Sequence, residues 1–385
     1  MNVVIVGGGF AGVKAAIELS KRQVGKVTLI SDQPYFLHHA TLYATATGRN
    51  IAESVLPLND IFADYPNVTV VHDKMTSIEP KRKIIIGEKK QYAYDKAILA
   101  LGSVTTYFGI KGVAEHAFGI KSIEEIRNFQ SHIHEEVVQK KLDKEFFIIG
   151  AGPTGVELAG ALQEYLQSII RVHNLKGANP QVTVVEAAPR ILPRMSTTAA
   201  RKVQARMEKM GIKVLTDHKV EALDDDHIVI NGKTIRTKTA IWTSGVANNP
   251  FFAGHADLFH LAPNGRVNVN DHLEAIKDIY VIGDGNTVKN SGVAWPAMHQ
   301  GKYVANHIAR LVTKQATPAY KPRTYLSGVP IGDHWGYVEK SGIYAAGKSG
   351  AWARRLMELK GYEQLVPKRT AKNVWRAHYI PEIDA

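Results

Sequence analysis

Gly7, Gly9 and Gly12 stand in the spacing G-x-G-x-x-G, after four apolar residues and before a helix-like run from Val13. That spacing suits a pyrophosphate. The first glycine tightens a turn, the second lets a phosphate approach the backbone, and the third packs helix on strand. The helix N-terminus offers free N–H groups and the positive end of its dipole, and Phe10 and Ala11 complete the cradle. The pattern returns after Phe146-Phe-Ile-Ile149, with Gly150, Gly152 and Gly155 at the same spacing and Thr154 inside the loop. Two cradles imply two dinucleotides. The economical pairing is a flavin held permanently and a nicotinamide that comes and goes, with hydride passing between them.

The ribose hydroxyls of each dinucleotide need a carboxylate near the end of the second strand. In the second copy Glu186 follows Val182-Thr-Val-Val185. A carboxylate there accepts from a free 2′-hydroxyl and repels a 2′-phosphate, which favours NADH over NADPH. Arg190, nearby, would soften that preference. In the first copy the strand ends at Ser31 and Asp32 follows, so either residue can be the ribose contact.

The elements that must position these residues repeat as well. Helix 13–22, strand 26–30, strand 68–71, a hairpin joining 84–86 to 92–94, and a buried strand from Lys96 to Gly102 form one unit. Helix 156–172, strand 182–185, helix 197–210, a hairpin over 227–237 turning at Asn231-Gly232, and a strand from Thr239 to Gly245 form the other. Gly102 lies 95 residues after Gly7, and Gly245 lies 95 residues after Gly150. The equality reads as two copies of one dinucleotide-binding domain. A strand at 278–284 ends in Gly-Asp284, and a helix over 297–313 begins after Pro296. The last segment, 322–385, holds strand-like pieces near 324–331 and 335–346, a helical stretch over 350–366 and a basic tail. The fold class is therefore α/β: two Rossmann-like domains plus a C-terminal α+β segment. The expected division is a flavin domain from 1–115 and 251–320, a nicotinamide domain at 116–250 inserted between those parts, and a C-terminal segment at 321–385.

The chain has 385 residues, a formal net charge of +12 and no cysteine. Lack of thiols removes disulfide frameworks, thiolate metal sites and any redox-active cysteine pair. No secretory leader is evident and no run of 18 apolar residues exists, so a cytoplasmic protein without a transmembrane helix is expected. The basic excess suits anionic cofactors, a solvated surface or an anionic membrane. No helix-turn-helix, finger or repeat points to nucleic acid. No metal site is expected, since the adjacent His38 and His39 face apart.

The chain resembles the two-dinucleotide flavoproteins of the pyridine-nucleotide–disulfide oxidoreductase superfamily, and within it the type II NADH dehydrogenases. The resemblance rests on the loop at 7–12, the runs Tyr35–Gly48 and Leu101-Gly102-Ser103, Gly150–Gly160, Val184–Pro193, Ile241–Val246 and Tyr280–Asp284. It implies FAD on the first loop and NADH on the second, with Gly102 and Gly245 beside their cofactors. It implies that Asp284 holds the ribityl chain and that His39 lines the flavin. The helix from Ala297 would face the pyrimidine edge, and Glu157 would lie near the nicotinamide. Superfamily members that need active-site cysteines, such as disulfide reductases and sulfide:quinone oxidoreductases, are excluded.

The implied acceptor is a quinone; a ferredoxin or rubredoxin, or a sensor role without turnover, are the alternatives. At 294–301, Ala-Trp-Pro-Ala-Met-His-Gln-Gly, the sequence departs from the family's A-Q-x-A-x-Q. Trp295 and His299 replace its two glutamines, while Gln300 follows. His299 could supply a proton to the acceptor. Residues 350–380 mix aromatic and basic residues, which fits contact with the inner face of the cell membrane, packing on the protein's own body, or the interface of an expected homodimer.

Overall fold

The computed structural model describes residues 1–380, so the last five positions of the C-terminal segment lie outside the described residues. Two parallel sheets organise the chain. The first has six strands, in the order Glu274–Ile276, Ile279–Val281, Lys96–Leu99, Asn2–Val6, Lys26–Ser31, Val68–His72. All neighbours run parallel except the outermost pair, Glu274–Ile276 with Ile279–Val281. The second has four parallel strands, Lys213–Leu215, Gln181–Val185, Glu145–Ile149 and Thr239–Trp242. Helices cover one face of each sheet and an antiparallel meander packs on the other, so the central strands are buried on both sides and read as unbroken apolar runs. Val3, Val4 and Ile5 are at most 1% exposed, and Phe146, Phe147 and Ile148 at most 2%. Each such side chain contributes about 1.5–3 kcal/mol on burial.

The two units share their local wiring. In the first, the Gly7 amide donates to the Ile30 carbonyl and helix Phe10–Lys21 follows. In the second, the Gly150 amide donates to the Val185 carbonyl and helix Pro153–Val172 follows. Each unit also carries an antiparallel meander of three strands, where the sequence suggests hairpins of two. The extra strands, Met75–Glu79 and Val220–Leu223, carry polar and charged residues among their apolar ones, which hides them from a search for apolar runs. Asn231 and Gly232 have φ of 46° and 74°, the left-handed pair a tight hairpin turn requires.

Helix Ala294–Val312 starts three residues earlier than expected. Pro296 lies in its first turn, where its missing N–H costs no intrahelical bond. The helix packs along Phe10–Lys21; a Cβ on Gly301 would lie 2.4 Å from the Ala11 carbonyl oxygen, so only glycine permits that approach. The C-terminal segment forms a three-stranded antiparallel sheet, Ser327–Pro330, Gly336–Lys340 and Ile343–Gly347. The expected single piece at 335–346 is thus two strands around Ser341-Gly342. Helices Lys348–Tyr362 and Lys368–Ala377 follow in place of one stretch over 350–366. The linkers between the two units pair as Ser103–Thr105 with Val246–Asn248.

Candidate active site

At the first loop, Gly7 has φ of +114° and a Cβ there would lie 2.2 Å from the Ala100 carbonyl oxygen. A Cβ on Gly12 would lie 2.0 Å from the Gly7 carbonyl oxygen. Gly9 differs: a Cβ there meets no protein atom within 4 Å. The second loop repeats this. Gly150 has φ of +109°, a Cβ on Gly155 would lie 1.9 Å from the Gly150 carbonyl oxygen, and Gly152 again meets nothing. The outer glycines are thus demanded by the fold, while the middle ones keep space clear for something outside the protein. Beside the second middle glycine, Thr154 is exposed at the helix N-terminus.

The ribose positions separate. Ser31 is buried and its hydroxyl accepts the Gln33 amide, whereas the Asp32 side chain is exposed. Glu186 accepts the Ala151 amide at 2.8 Å and the Ala188 amide at 2.9 Å, which fixes its carboxylate against the second loop. Arg190 donates to the carbonyls of Leu192, Pro193 and Met195, so its guanidinium is committed to its own turn.

Asp284 accepts the Ser103 hydroxyl and the Gly292 amide, both at 3.0 Å. Gly102, just before Ser103, has φ of +67° and open space around it; Gly245 has φ of +72° and is covered by the Phe108 ring. Gln300 is fully buried; its Oε1 accepts from the Gly283 amide and from Asn286 Nδ2, each at 2.8 Å. It therefore braces the turn carrying Asp284, and its Nε2 has no protein partner. Ala297 is buried in the first turn of the same helix. His39 is exposed, yet the protein packed around its ring desolvates it and lowers its pKa. The charges of Asp284 and Glu125 oppose that shift and Lys121 adds to it. Lys121 was not legible in the sequence. Its ammonium is buried without a hydrogen-bond partner, and burial lowers its pKa although Glu125 and Asp284 oppose this.

Glu157 is 6% exposed. Burial pushes its carboxyl up to about 7, against the opposing pull of Arg354, whose Nη2 lies 3.3 Å away. Arg354 also meets Glu358 at 2.8 Å. Burial works against its charge, but Glu358 and Glu157 outweigh it and raise the guanidinium pKa. Arg355 bonds Glu358, lies 4.0 Å from Glu53, and sits over the Trp375 and Tyr379 rings. Glu53 is bonded in turn to His378 at 2.8 Å. Two of the cations on the basic face read from 350–366 thus point inward and tie the C-terminal helices to Glu157. Trp352, 69% exposed, remains outward.

His299 does not join Gln300, because successive helical residues point about 100° apart. Its Nδ1 lies 3.0 Å from the Tyr320 hydroxyl, and with Trp295 it lines a separate cavity. Burial, then Arg323 and Lys302, lower its pKa. Among the described residues no cluster of ligating side chains could hold a metal ion.

Residues 1–301 match the model of the pyridine nucleotide-disulphide oxidoreductase family. A type II NADH:quinone oxidoreductase of Mycobacterium tuberculosis is 31% identical over 338 residues, 80% of this chain and 72% of that one. The chain belongs to this family, in its type II NADH:quinone oxidoreductase branch. A Staphylococcus epidermidis type II NADH:quinone oxidoreductase is 27% identical across 94% of this chain and 96% of its own. Solved structures share the fold. NDH2 of Plasmodium falciparum, in complex with NADH, has a TM-score of 0.87 at 16% identity, covering 98% of this chain and 97% of that one. The sulfide:quinone oxidoreductase of Aquifex aeolicus has a TM-score of 0.79 at 19% identity, over 98% and 91%. The family's cofactors are FAD and a nicotinamide, and the residues fit them. The open cradle at Gly9, the unpaired Lys121 ammonium and the free Gln300 amide all offer donors or space that the protein itself does not fill.

Proposed function

We propose that this chain is an FAD-dependent NADH:quinone oxidoreductase, with a flavin domain built from 1–115 and 251–320 and a nicotinamide domain at 116–250. The observation that carries it is the pair of intact cradles, each with its middle glycine kept clear. When bound, FAD supplies the two-electron chemistry between NADH and the acceptor. The protein supplies positioning and electrostatics. Gly7, Gly9 and Gly12, with Phe10 and Ala11 and the helix N-terminus behind them, hold one pyrophosphate; Gly150, Gly152, Thr154 and Gly155 hold the other. Asp32, rather than Ser31, takes the flavin-side ribose, and Glu186 takes that of NADH. Asp284 orients the ribityl chain, with Gly102, His39 and Ala297 around it and Gln300 bracing its turn. The N-terminus of helix Ala294–Val312 favours negative charge gathering near it. Glu157, buried against Arg354 and with its carboxyl pushed up to about 7, can hold or release a proton at the oxygen that Arg354 does not contact. Gly245, under Phe108, borders the nicotinamide side.

The acceptor cavity lies beside Trp295 and His299, and the His299–Tyr320 pair stands ready to pass a proton into it. Among the described residues no helix is long and apolar enough to cross a membrane. The exposed Trp352, Tyr379 and Ile380 support a peripheral position on the inner face of the cell membrane. The test is an acceptor profile of the FAD-loaded protein with NADH, comparing naphthoquinones, ferredoxin and oxygen. Naphthoquinone should be reduced fastest. Faster transfer to ferredoxin, or no turnover with any acceptor, would overturn the reading.

A further inference from the structure

The stretch 294–301, where the sequence leaves the family's glutamine pattern, forms part of the wall of a cavity of about 520 Å³. That size suits a bicyclic ring system. Trp295, Met298, Trp352 and Leu356 give it an apolar side. Its charged lining is of one sign: Lys14, Lys302, Arg323 and Lys360 contribute, and no carboxylate does. Two of these cations are already matched. Lys14, only 5% exposed, pairs with Glu18 at 2.9 Å, and Lys360 pairs with Glu363 at 2.7 Å. The Lys302 ammonium and the Arg323 guanidinium have no ion pair or hydrogen bond with any described residue, and both charges depress the pKa of His299.

An apolar slot whose lining includes two unmatched cations, both acting on His299, discriminates among acceptors. A neutral quinone gains only the slot. A quinone with an ionised substituent gains the slot and a charge-assisted contact as well. We propose that this cavity takes a quinone bearing an acidic, ionised group, with its ring in the aromatic slot and its acid on Lys302 and Arg323. The inference rests on the function proposed above and adds the class of substrate. The step balances without another reactant. The quinone takes up two electrons and two protons to become the hydroquinone; NADH supplies both electrons and one proton as hydride and leaves as NAD⁺. The second proton enters from solvent through Tyr320 and His299, and the acid group is unchanged.

The competing explanation is that the same two cations address anionic lipid beside Trp352. The experiment separates the two. FAD-loaded protein is assayed with NADH and either 1,4-naphthoquinone-2-sulfonate or 2-methyl-1,4-naphthoquinone. The quantity read is the ratio of kcat/KM for the sulfonate to that for the neutral quinone, so intrinsic reactivity cancels between variants. Arg323→Gln and Lys302→Gln should each lower that ratio roughly tenfold, the scale of one hydrogen bond to a charged group. In the parent the ratio should also fall with added salt. Lys141→Gln, at a lysine remote from the cavity in sequence and absent from its lining, should leave it unmoved. All three side chains are exposed, and FAD content and melting temperature confirm folding. An unmoved ratio in both cavity variants overturns the inference. It does so equally if those variants lose affinity for phosphatidylglycerol vesicles, which assigns the cations to lipid. If the parent reduces neither quinone, the proposed function falls too; if it reduces the neutral one and only the ratio fails to move, that function stands and this inference alone falls.

Discussion

Arg354→Met removes the cation between Glu157 and Glu358 and keeps an unbranched chain in its buried place. All three side chains are at most 8% exposed. At an effective dielectric constant near 20, each pair at contact distance is worth about 4 kcal/mol before desolvation is counted. Removing one partner of a buried pair typically costs about 3–5 kcal/mol, because the survivor stays buried and uncompensated. For 385 residues, at about 2.1 cal/mol/K per residue, the unfolding entropy is about 0.8 kcal/mol/K, so the melting temperature should fall by about 4–6 °C. The loss should also depend on pH. The Glu157 carboxyl is raised by burial from 4.5 to about 7, so the folded state holds its proton more tightly than the unfolded chain does. Stability from that neutral form is full below pH 4.5 and is lost as pH rises through about 7. Without Arg354 the folded pKa climbs further, so the deficit should be small in acid and grow toward pH 8. Scanning fluorimetry with saturating FAD across this range reads both effects, and Arg354→Lys should recover part of each. A variant that melts within a degree of the parent at pH 8, with a deficit flat in pH, would refute the claim that Arg354 opposes the upward shift that burial imposes on Glu157.

The middle glycines should separate the two cofactors. Gly9→Ala should fold with parental circular dichroism but lose FAD, read as flavin per protein after gel filtration. Gly152→Ala should keep FAD and raise the KM for NADH at least tenfold, since the added methyl occupies the pyrophosphate's approach. Glu186→Ala should narrow the preference for NADH over NADPH by roughly tenfold, the worth of one charged hydrogen bond, in a comparison of kcat/KM for the two nucleotides.

The two cradles are legible in sequence because every part of them is local. An apolar strand, three glycines and a helix start lie within ten residues, and the repeat at equal spacing turns one weak pattern into a pair. The Glu186 position is legible for the same reason. What bonds it is not: the Ala151 amide lies 35 residues away. Arg354 is opaque, because its partner Glu157 is 197 residues distant and a helix of basic and aromatic residues reads alike whether it lies on lipid or stacks inward. Arg355 over Trp375 and Tyr379 has the pattern of an interfacial helix and the role of an internal clamp. His299 and Gln300 are neighbours in sequence with unlike surroundings, one lining the cavity beside Trp295 and one bracing the turn of Asp284. Lys121 sits before a helix whose Ser122–Glu125 capping box is the stronger local signal, and only tertiary structure leaves its ammonium without a partner.

The most direct test of the account is rapid mixing of the FAD-loaded protein with NADH under anaerobic conditions, followed by a naphthoquinone, with the flavin absorbance band recorded throughout. The account predicts that NADH bleaches the band within a turnover time and that the quinone restores it. A band that NADH leaves unchanged, or that stays bleached after quinone is added, would contradict it.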